Sequence, residues 1–249
     1  MSPLTNKVAL VTGGSRGIGA AIVKRLAADG ASVVFTYLNA EEKAVALVTE
    51  IEKKGGHALA IKADSGNPKS LELAVEETIK AYGQLDILVN SAGISVYSPV
   101  DTTETDPAEL EKILAVNLSG VAAATRIASR YIGEGGRIIS IGSTFASRLG
   151  GFSGFADYAA TKAAVAAYTR GWAWDLGKKG ITVNTVEPGP TATDMNPDNT
   201  DFAQSVKSGL ALGRYGTVEE IAAAVAFLAS PEASFITGST LTVDGGQNA

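Results

Sequence analysis

A tyrosine and a lysine, Tyr158 and Lys162, stand four residues apart at the start of a segment with helical periodicity. Side chains at this spacing lie on one face of a helix. A free tyrosine has a pKa near ~10 and is a slow acid–base group at neutral pH, whereas a neighbouring ammonium stabilises the phenolate and lowers that pKa. The pair predicts an acid–base tyrosine tuned by a lysine. Because this spacing also arises by chance, the surrounding motifs decide whether the pair is functional.

A glycine-rich turn near the amino terminus, Thr12-Gly13-Gly14-Ser15-Arg16-Gly17-Ile18-Gly19, follows an apolar run and precedes an amphipathic segment. Glycines permit a tight turn and let backbone amides approach a pyrophosphate at a helix N-terminus, where the helix dipole favours negative charge. No Gly-Lys-Ser/Thr follows, which excludes a Walker-type loop. The position of the turn between a first strand and a first helix predicts a dinucleotide site.

The end of the second predicted strand bears on the choice between NAD(H) and NADP(H). A carboxylate at that point binds the ribose 2′-hydroxyl and would repel a 2′-phosphate. Here the stretch reads Phe35-Thr36-Tyr37-Leu38-Asn39, with no carboxylate before Glu41, and Arg16 stands in the glycine turn. The sequence therefore favours NADP(H) over NAD(H), although Arg16 could equally be a solvated loop residue.

Strand-like and helical segments alternate along the whole chain. This alternation predicts an α/β fold, a single doubly wound Rossmann-type domain over residues 1–249 with a seven-stranded parallel sheet flanked by helices. The long polar segment 188–212 lacks periodicity, and we expect a substrate lid at 190–212. The predicted strands are Lys7–Thr12, Ser32–Thr36, His57–Lys62, Leu85–Val89, Arg137–Gly142, Ile181–Glu187 and Ser239–Val243; the predicted helices are Gly17–Asp29, Glu41–Lys54, Pro68–Tyr82, Pro107–Tyr131, Ala156–Lys178 and Val218–Ala229.

Several further motifs occur in one order along the chain. Ser143 ends the fifth predicted strand, and Pro188-Gly189 ends the sixth, so both fall at the carboxyl edge of the sheet. The others are Asp64 after the third strand, Asn90-Ser91-Ala92-Gly93, Val116-Asn117, Thr193, and the ending Thr237-Gly238-x-x-Leu241-x-Val243-Asp244-Gly245-Gly246. With the glycine turn and the Tyr158/Lys162 pair, these motifs resemble the short-chain dehydrogenase/reductase family, and 3-oxoacyl-[acyl-carrier-protein] reductase-like members in particular, over essentially the whole chain.

The resemblance implies an NAD(P)-dependent enzyme that interconverts a carbonyl and a secondary alcohol. Tyr158 would donate the proton, Ser143 would bind the substrate oxygen, Lys162 would lower the pKa of Tyr158 and hold the nicotinamide ribose, and Asn117 would hold a water that relays protons. The implied substrate contacts are Ser143, Phe145 and Tyr158. The implied cofactor contacts are Gly13, Ser15, Arg16, Gly17, Ile18, Gly19, Tyr37, Asp64, Ser65, Asn90, Ala92, Gly93, Tyr158, Lys162, Pro188, Gly189, Thr191 and Thr193.

Two departures from the family pattern stand out. Ser91 replaces the second asparagine of the Asn-Asn-Ala-Gly motif, a change that keeps a small polar side chain. The interval from Ser143 to Tyr158 is about two residues longer than in many relatives, and the addition lies within 147–156. The second departure bears on the substrate, because this interval contributes to the substrate wall.

Composition excludes several other classes of protein. The 249-residue chain has 45% hydrophobic residues and a net charge of −5, which argues against nucleic-acid and membrane partners. It has no cysteine and a single histidine, so neither thiol catalysis nor a Cys- or His-clustered metal site is available. No targeting segment is visible, and a cytoplasmic enzyme is expected.

The substrate is less determined than the chemistry. Three groups of residues should wall a largely apolar pocket for a small or medium ketone: Ile94 to Tyr97; Phe145, Phe152 and Phe155; and Met195 with Phe202. A 3-oxoacyl thioester on acyl carrier protein is one alternative, with Arg126, Arg130, Lys178 and Lys179 as a docking patch that Glu134 and Asp175 interrupt. A sugar or polyol is a second alternative, and dinucleotide binding without turnover is a third. The resemblance also implies a homotetramer.

Overall fold

The structure is a computed structural model that describes residues 2–103 and 105–249, and a single β-sheet forms its centre. Within this part of the chain the sheet has seven strands, all parallel, as predicted. They are β1 (Val8–Thr12), β2 (Ser32–Tyr37), β3 (His57–Lys62), β4 (Ile87–Asn90), β5 (Arg137–Ile141), β6 (Thr182–Pro188) and β7 (Thr240–Val243). Their order across the sheet is β3-β2-β1-β4-β5-β6-β7.

The strand order reverses at β1. The chain first moves outward from β1 through β2 to β3, and then returns so that β4 pairs with the other side of β1, with Val11 beside both Phe35 and Val89. In open α/β sheets, ligands bind beyond the carboxyl ends of the strands at such a switch point. The central strands β1, β4, β5 and β6 are buried along their whole length, as expected for strands that helices cover on both faces.

Helices cover the two faces of the sheet with separate hydrophobic cores. The helices are α1 (Gly17–Ala28), α2 (Glu41–Lys53), α3 (Pro68–Tyr82), α4 (Pro107–Leu114), α5 (Val121–Ala128), α6 (Ala156–Gly177), α7 (Asp201–Ser208) and α8 (Val218–Ala229). One core packs α1, α2 and α8 on the sheet, and the other packs α3, α5 and α6. None of the helices within residues 2–103 and 105–249 is both long and apolar enough to span a membrane.

The predicted helix Pro107–Tyr131 is wrong in its interior and at its end. The helix ends at Ala128, and a π-helical segment, Ala115–Gly120, separates α4 from α5. A Cβ atom on Gly120 would lie 2.0 Å from the carbonyl oxygen of Ser65, so the helix passes against the loop after β3 at a distance that only glycine allows. The π segment places Asn117 in the interior of the protein.

The segment predicted to lack periodicity contains a helix. Helix α7 spans eight residues of the proposed lid, and Thr200 caps it by accepting a hydrogen bond from the Ala203 amide at 3.1 Å. Ala203 and Val206 pack with Leu210 and Tyr215 in a small separate cluster. The segment is therefore an ordered element with its own apolar contacts, and its role as a lid stays a prediction.

Candidate active site

The glycine turn joins β1 to α1 with very close backbone contacts. Gly13 and Gly17 have positive φ angles of 67° and 53°. A Cβ atom on Gly19 would lie 2.2 Å from the carbonyl oxygen of Gly13, so α1 can start directly against the turn only if residue 19 is glycine. The Arg16 side chain does not cap α1. The turn and the first amides of α1 thus provide a cradle that suits a pyrophosphate.

Threonine hydroxyls fix the loops around this cradle. The Thr12 hydroxyl accepts hydrogen bonds from the backbone amides of Ser91 at 3.0 Å and Ala92 at 3.1 Å, which ties the end of β4 to the end of β1. The Thr36 hydroxyl accepts a bond from the Gly13 amide at 3.0 Å. Because the bond at residue 91 uses its backbone amide, this contact does not depend on which side chain stands there.

The three residues predicted to carry the chemistry come together beyond the ends of β5 and β6. Ser143 follows β5, while Tyr158 and Lys162 lie in the first two turns of α6. The Ser143 hydroxyl is hydrogen-bonded to the Tyr158 hydroxyl. The Lys162 ammonium lies 5.7 Å from the centre of the Tyr158 ring and donates a 2.8 Å hydrogen bond to the Ile141 carbonyl.

The electrostatics of the pair differ from the expectation that Lys162 would lower the pKa of Tyr158. Burial raises the pKa of Tyr158, and the hydrogen bond with Ser143 opposes this only in part. Burial also lowers the pKa of Lys162 to about 8, because the apolar surroundings disfavour the charged ammonium. The structure therefore favours a protonated tyrosine, ready to donate, beside a lysine whose charge is held at a cost.

Asn117 and Asn90 lie behind the cavity wall rather than on it. The Asn117 side chain accepts a bond from the Ile94 amide at 2.9 Å and donates to the Ile94 carbonyl at 2.8 Å. It also donates to the Thr161 hydroxyl at 3.3 Å. The Asn90 side chain donates to Thr125 and Ser140 and is buried. Asn117 therefore positions the backbone at Ile94, which lines the cavity, whereas Asn90 joins β4 to side chains of α5 and β5.

A cavity of about 1230 Å³ connects the glycine turn with Ser143, Tyr158 and Lys162. Every predicted site residue except Asn90 and Asn117 lines it. Of the predicted substrate wall, Val96 and Tyr97 do not line the cavity, and Tyr97 instead contacts Phe155 from behind with 5.8 Å between ring centres. The wall also contains residues that sequence analysis did not single out, among them Lys112, Tyr215 and Gln247.

Gln247 illustrates why some of these residues were missed. It comes from the carboxyl end of the chain, and its side-chain oxygen accepts a 2.9 Å hydrogen bond from the Thr144 hydroxyl beside Ser143. Only the return of the chain after β7 brings it there, so no local motif marks it. Lys112, by contrast, lies on α4 one turn before Val116, a residue that the family motif does include, and this spacing was an available signal.

The rim near Arg16 carries charges from three separate segments. Lys43 of α2 forms a 3.0 Å ion pair with Asp194, which follows β6. The hydrogen bond and the charge of Lys43, together with the nearby charge of Arg16, lower the pKa of the Asp194 carboxyl. Tyr37, Leu38, Asn39 and Ala40 line the cavity at the end of β2. The stretch 37–40 thus contributes no carboxylate to the cavity, and a 2′-phosphate would meet no negative charge from it.

The geometry is that of a dinucleotide-binding α/β protein with an acid–base group beside the nucleotide cleft. A family model described as enoyl-(acyl carrier protein) reductase matches residues 13–248. A cyclic-di-GMP-binding biofilm dispersal mediator protein of Escherichia coli is 42% identical over 98% of each chain. A 3-oxoacyl-[acyl-carrier-protein] reductase of Synechocystis is 39% identical over 99% of this chain and 98% of its own.

A solved structure gives the same assignment. It is a short-chain dehydrogenase from Burkholderia cenocepacia in complex with NADP, which is 49% identical, with a TM-score of 0.96 over 99% of this chain and 100% of its own. The chain belongs to the short-chain dehydrogenase/reductase family of NAD(P)-dependent oxidoreductases. The family resemblance and the fold class inferred from the sequence are thereby confirmed.

Proposed function

We propose that this protein reduces the carbonyl group of a small molecule to a secondary alcohol with NADPH, in a reversible reaction. The observation that carries the proposal is the hydrogen-bonded Ser143–Tyr158 pair beside buried Lys162, within one cavity that also holds the glycine turn. The net reaction consumes a carbonyl compound, NADPH and a proton, and it yields the alcohol and NADP⁺.

The residues present fit the cofactor. The glycine turn leaves no space for side chains at residues 13 and 19 and so keeps its backbone amides open to a pyrophosphate, and the rim offers Arg16 without a carboxylate at Tyr37. The pyrophosphate would bind to the glycine turn at Gly13, Ser15, Gly17, Ile18 and Gly19. The 2′-phosphate would contact Arg16 and Tyr37, and the adenine would contact Asp64 and Ser65. The remaining ribose and the nicotinamide would contact Asn90, Ala92, Gly93, Lys162, Pro188, Gly189, Thr191 and Thr193. When bound, the nicotinamide supplies a hydride to the carbonyl carbon. NADP in the Burkholderia structure supports the choice of NADP(H).

The side chains of the site have different roles in the transfer of the proton to the substrate. The hydroxyls of Ser143 and Tyr158 both face the position of the substrate oxygen, where negative charge develops during reduction. Tyr158 donates its proton to that oxygen, and the burial that raises its pKa keeps the proton in place until then. Lys162 supplies positive charge beside Tyr158 and binds ribose hydroxyls. Asn117 acts by holding the Ile94 segment in position, and the relay water is a further proposal at its amide.

The test is an NADPH-consumption screen over simple ketones, β-keto esters, 3-oxoacyl thioesters and sugars. Tyr158→Phe should nearly abolish turnover while NADPH still binds, because the lost hydroxyl acts mainly in the transition state. Ser143→Ala should lower turnover, because it removes about 2–4 kcal/mol of transition-state stabilisation. A Tyr158→Phe variant that retains most of its turnover would place the proton donor elsewhere.

Cofactor choice has its own test. Tyr37→Asp should reverse the preference from NADPH to NADH, because the new carboxylate repels the 2′-phosphate and can accept a hydrogen bond from a ribose 2′-hydroxyl. Catalytic efficiency is measured with both cofactors, and Tyr37→Asn serves as the uncharged control. Equal or better efficiency with NADH in the unmodified protein would contradict the assignment.

A 3-oxoacyl thioester on acyl carrier protein is the first alternative substrate, and the Synechocystis relative carries that activity in its name. The cations of the predicted docking patch, Arg126, Arg130, Lys178 and Lys179, do not line the cavity, because α5 and α6 end at the amino edge of the sheet, where the chain re-enters through β5 and β6. Arg130 lies 3.9 Å from Glu72 in a partly neutralised pair. This placement favours free small molecules. Sugars and polyols stay in the screen as a second alternative.

Binding without turnover is the alternative from a different class. The Escherichia coli relative is named for binding cyclic-di-GMP rather than for an enzymatic reaction. In this chain the Ser143, Tyr158 and Lys162 set is intact and assembled, which favours catalysis. Titration with cyclic-di-GMP, in competition with NADPH, discriminates binding from catalysis. A protein that binds both ligands but oxidises NADPH with none of the carbonyl compounds in the screen would support a sensor or scaffold.

We also propose a cytoplasmic homotetramer. Two large apolar side chains, Trp174 on α6 and Phe235 before β7, are 87% and 102% exposed, as contact residues of an isolated subunit would be. Light scattering on the purified protein measures the assembly directly. A mass near that of one 25.4 kDa chain at working concentration would refute the assembly.

A further inference from the structure

An aromatic wall adjoins the catalytic tyrosine. Four of the seven phenylalanines of the chain line the cavity: Phe145, Phe152, Phe155 and Phe202. Phe145 is their centre, with 5.6 Å between its ring and that of Phe152 and 5.7 Å to that of Phe155. Phe202 of α7 extends the wall, because its ring packs edge-on against Phe152 at 5.7 Å. We refer to these four rings as the aromatic wall.

The aromatic wall reaches the reacting atoms through Phe145. Its ring centre lies 6.2 Å from that of Tyr158, at an interplanar angle of 81°. Because Phe145 and Tyr158 line the same cavity, a substituent of a carbonyl held by the Ser143 and Tyr158 hydroxyls can lie beside Phe145. Aromatic rings pair favourably at centroid distances of 4.5–7 Å, both edge-to-face and offset, and a saturated ring of similar size lacks this electrostatic complementarity.

The charges of the cavity lie away from the aromatic wall. Among the described lining residues, the charged side chains are Arg16, Asp64, Lys112, Lys162 and Asp194. Asp194 interacts with Arg16 on the rim of the glycine turn, and Lys112 lies on α4 shortly before Ala115 and Val116, which lie close to Gly66 of the loop after β3. Lys162 lies under Tyr158 and is satisfied by the Ile141 carbonyl. The wall offers no cation to a carboxylate or phosphate and only π-faces and edges to an uncharged group.

We propose that the carbonyl substrate is an uncharged aryl ketone, with its aromatic ring attached directly to the reacting carbon and packed against Phe145 and Phe152. This inference rests on the proposed carbonyl reduction and adds the substrate class. The longer interval between Ser143 and Tyr158 supplies the wall, because Phe145, Phe152 and Phe155 all lie within it. Its Gly154 has φ 77°, and a Cβ there would lie 2.3 Å from the Tyr97 ring, so the loop is held closely against Tyr97.

The test compares two ketones of the same carbon skeleton, acetophenone and cyclohexyl methyl ketone, with NADPH and the full chain. Their intrinsic reactivities differ, so the readout is the ratio of their kcat/KM values, compared between the wild type and the variants. Phe152→Leu and Phe202→Leu keep an apolar side chain and do not contact Tyr158. We expect the acetophenone-to-cyclohexyl ratio to fall about two- to tenfold in Phe152→Leu, with a smaller fall in Phe202→Leu.

Phe227→Leu is the matched control, since Phe227 lies on α8 outside the cavity lining. Its ratio should equal that of the wild type. If the wall only closes the pocket, the wall variants lower both kcat/KM values by the same factor, and this constant ratio overturns the inference. Tyr158-dependent reduction of cyclohexyl methyl ketone with no reduction of acetophenone overturns the aryl assignment and leaves carbonyl reduction standing. Absence of NADPH oxidation with every carbonyl in the screen overturns both.

Discussion

Replacing Lys162 by methionine should stabilise the protein at pH 7 while it abolishes catalysis. The pKa of Lys162 falls from its ordinary 10.5 to about 8 because the ammonium is buried. At 1.36 kcal/mol per pKa unit, keeping the group charged in the folded state costs about 3 kcal/mol. Lys162→Met removes this cost but also the 2.8 Å hydrogen bond to the Ile141 carbonyl, whose loss costs about 1.5–3 kcal/mol. The net gain expected at pH 7 is about 1 kcal/mol, or about 2–4 °C in Tm.

The pH dependence of the stability difference tests this prediction more sharply than the gain in stability at pH 7 does. Between pH 8 and 10.5 the folded chain holds Lys162 neutral, while the lysine of the unfolded chain is still protonated. The unfolded state then binds one more proton, so the stability of the wild type rises with pH by up to about 1.4 kcal/mol per pH unit. The methionine variant lacks this increase. Its advantage at pH 7 should disappear between pH 8 and 9, and above that the wild type should be the more stable protein.

Urea denaturation of both proteins at pH 7, 8.5 and 9.5 measures the difference in the free energy of unfolding. Taking the difference cancels the titration of groups that the two proteins share. Lys179→Met, at an exposed position after α6, is the matched control and should leave stability within about 0.5 kcal/mol. A difference between wild type and Lys162→Met that stays constant from pH 7 to 9.5 would refute the assignment of a charged, desolvated lysine.

Two further predictions concern residues that shape the cavity. Asn117→Ala should lower stability by about 1–3 kcal/mol, measured by urea denaturation, because it leaves the partly buried Ile94 amide and carbonyl without their side-chain partner; an unchanged midpoint would contradict this. Gly19→Ala should weaken NADPH binding at least tenfold, measured from the fluorescence of the reduced nicotinamide. The new Cβ atom would lie 2.2 Å from the Gly13 carbonyl oxygen, so the glycine turn would have to move. Ala20→Ser, next to it on α1, is the control and should bind NADPH normally.

Much of the fold could be predicted because its signals are local. Each strand is a short apolar run that ends at Gly, Asn, Asp or Pro, and burial on both faces leaves no alternation to confuse the pattern. The glycine turn was equally clear, since its glycines are required by positive φ angles and by the contact between residues 13 and 19. Tyr158 and Lys162 were found from helical spacing, and the structure confirms that α6 begins just before them.

What the sequence did not reveal depends on contacts between distant segments. The π segment after Leu114 ends at Gly120, which packs against Ser65, and no sequence pattern connects these two residues. The pKa of Tyr158 is raised because the side chain is buried, with Phe145 packed edge-on against it. The sequence spacing showed only the neighbouring lysine, which predicts a lowered pKa. Helix α7 was missed because it spans only eight residues, fewer than the roughly 11–18 over which helical periodicity is recognised.

The cavity walls are held by side chains that bind backbone groups outside the sheet ladder. The Thr12 hydroxyl holds two amides of the loop after β4, Asn117 holds the next part of the same loop at Ile94, and Lys162 holds the end of β5 at Ile141. Loops that lack ladder bonds would otherwise bury unpaired polar groups or move, and neither is compatible with a cavity of fixed shape. In the proposed mechanism Lys162 combines two roles, since the same ammonium fixes Ile141 and would supply positive charge beside Tyr158. Its burial costs stability at neutral pH because the ammonium lies where water is excluded.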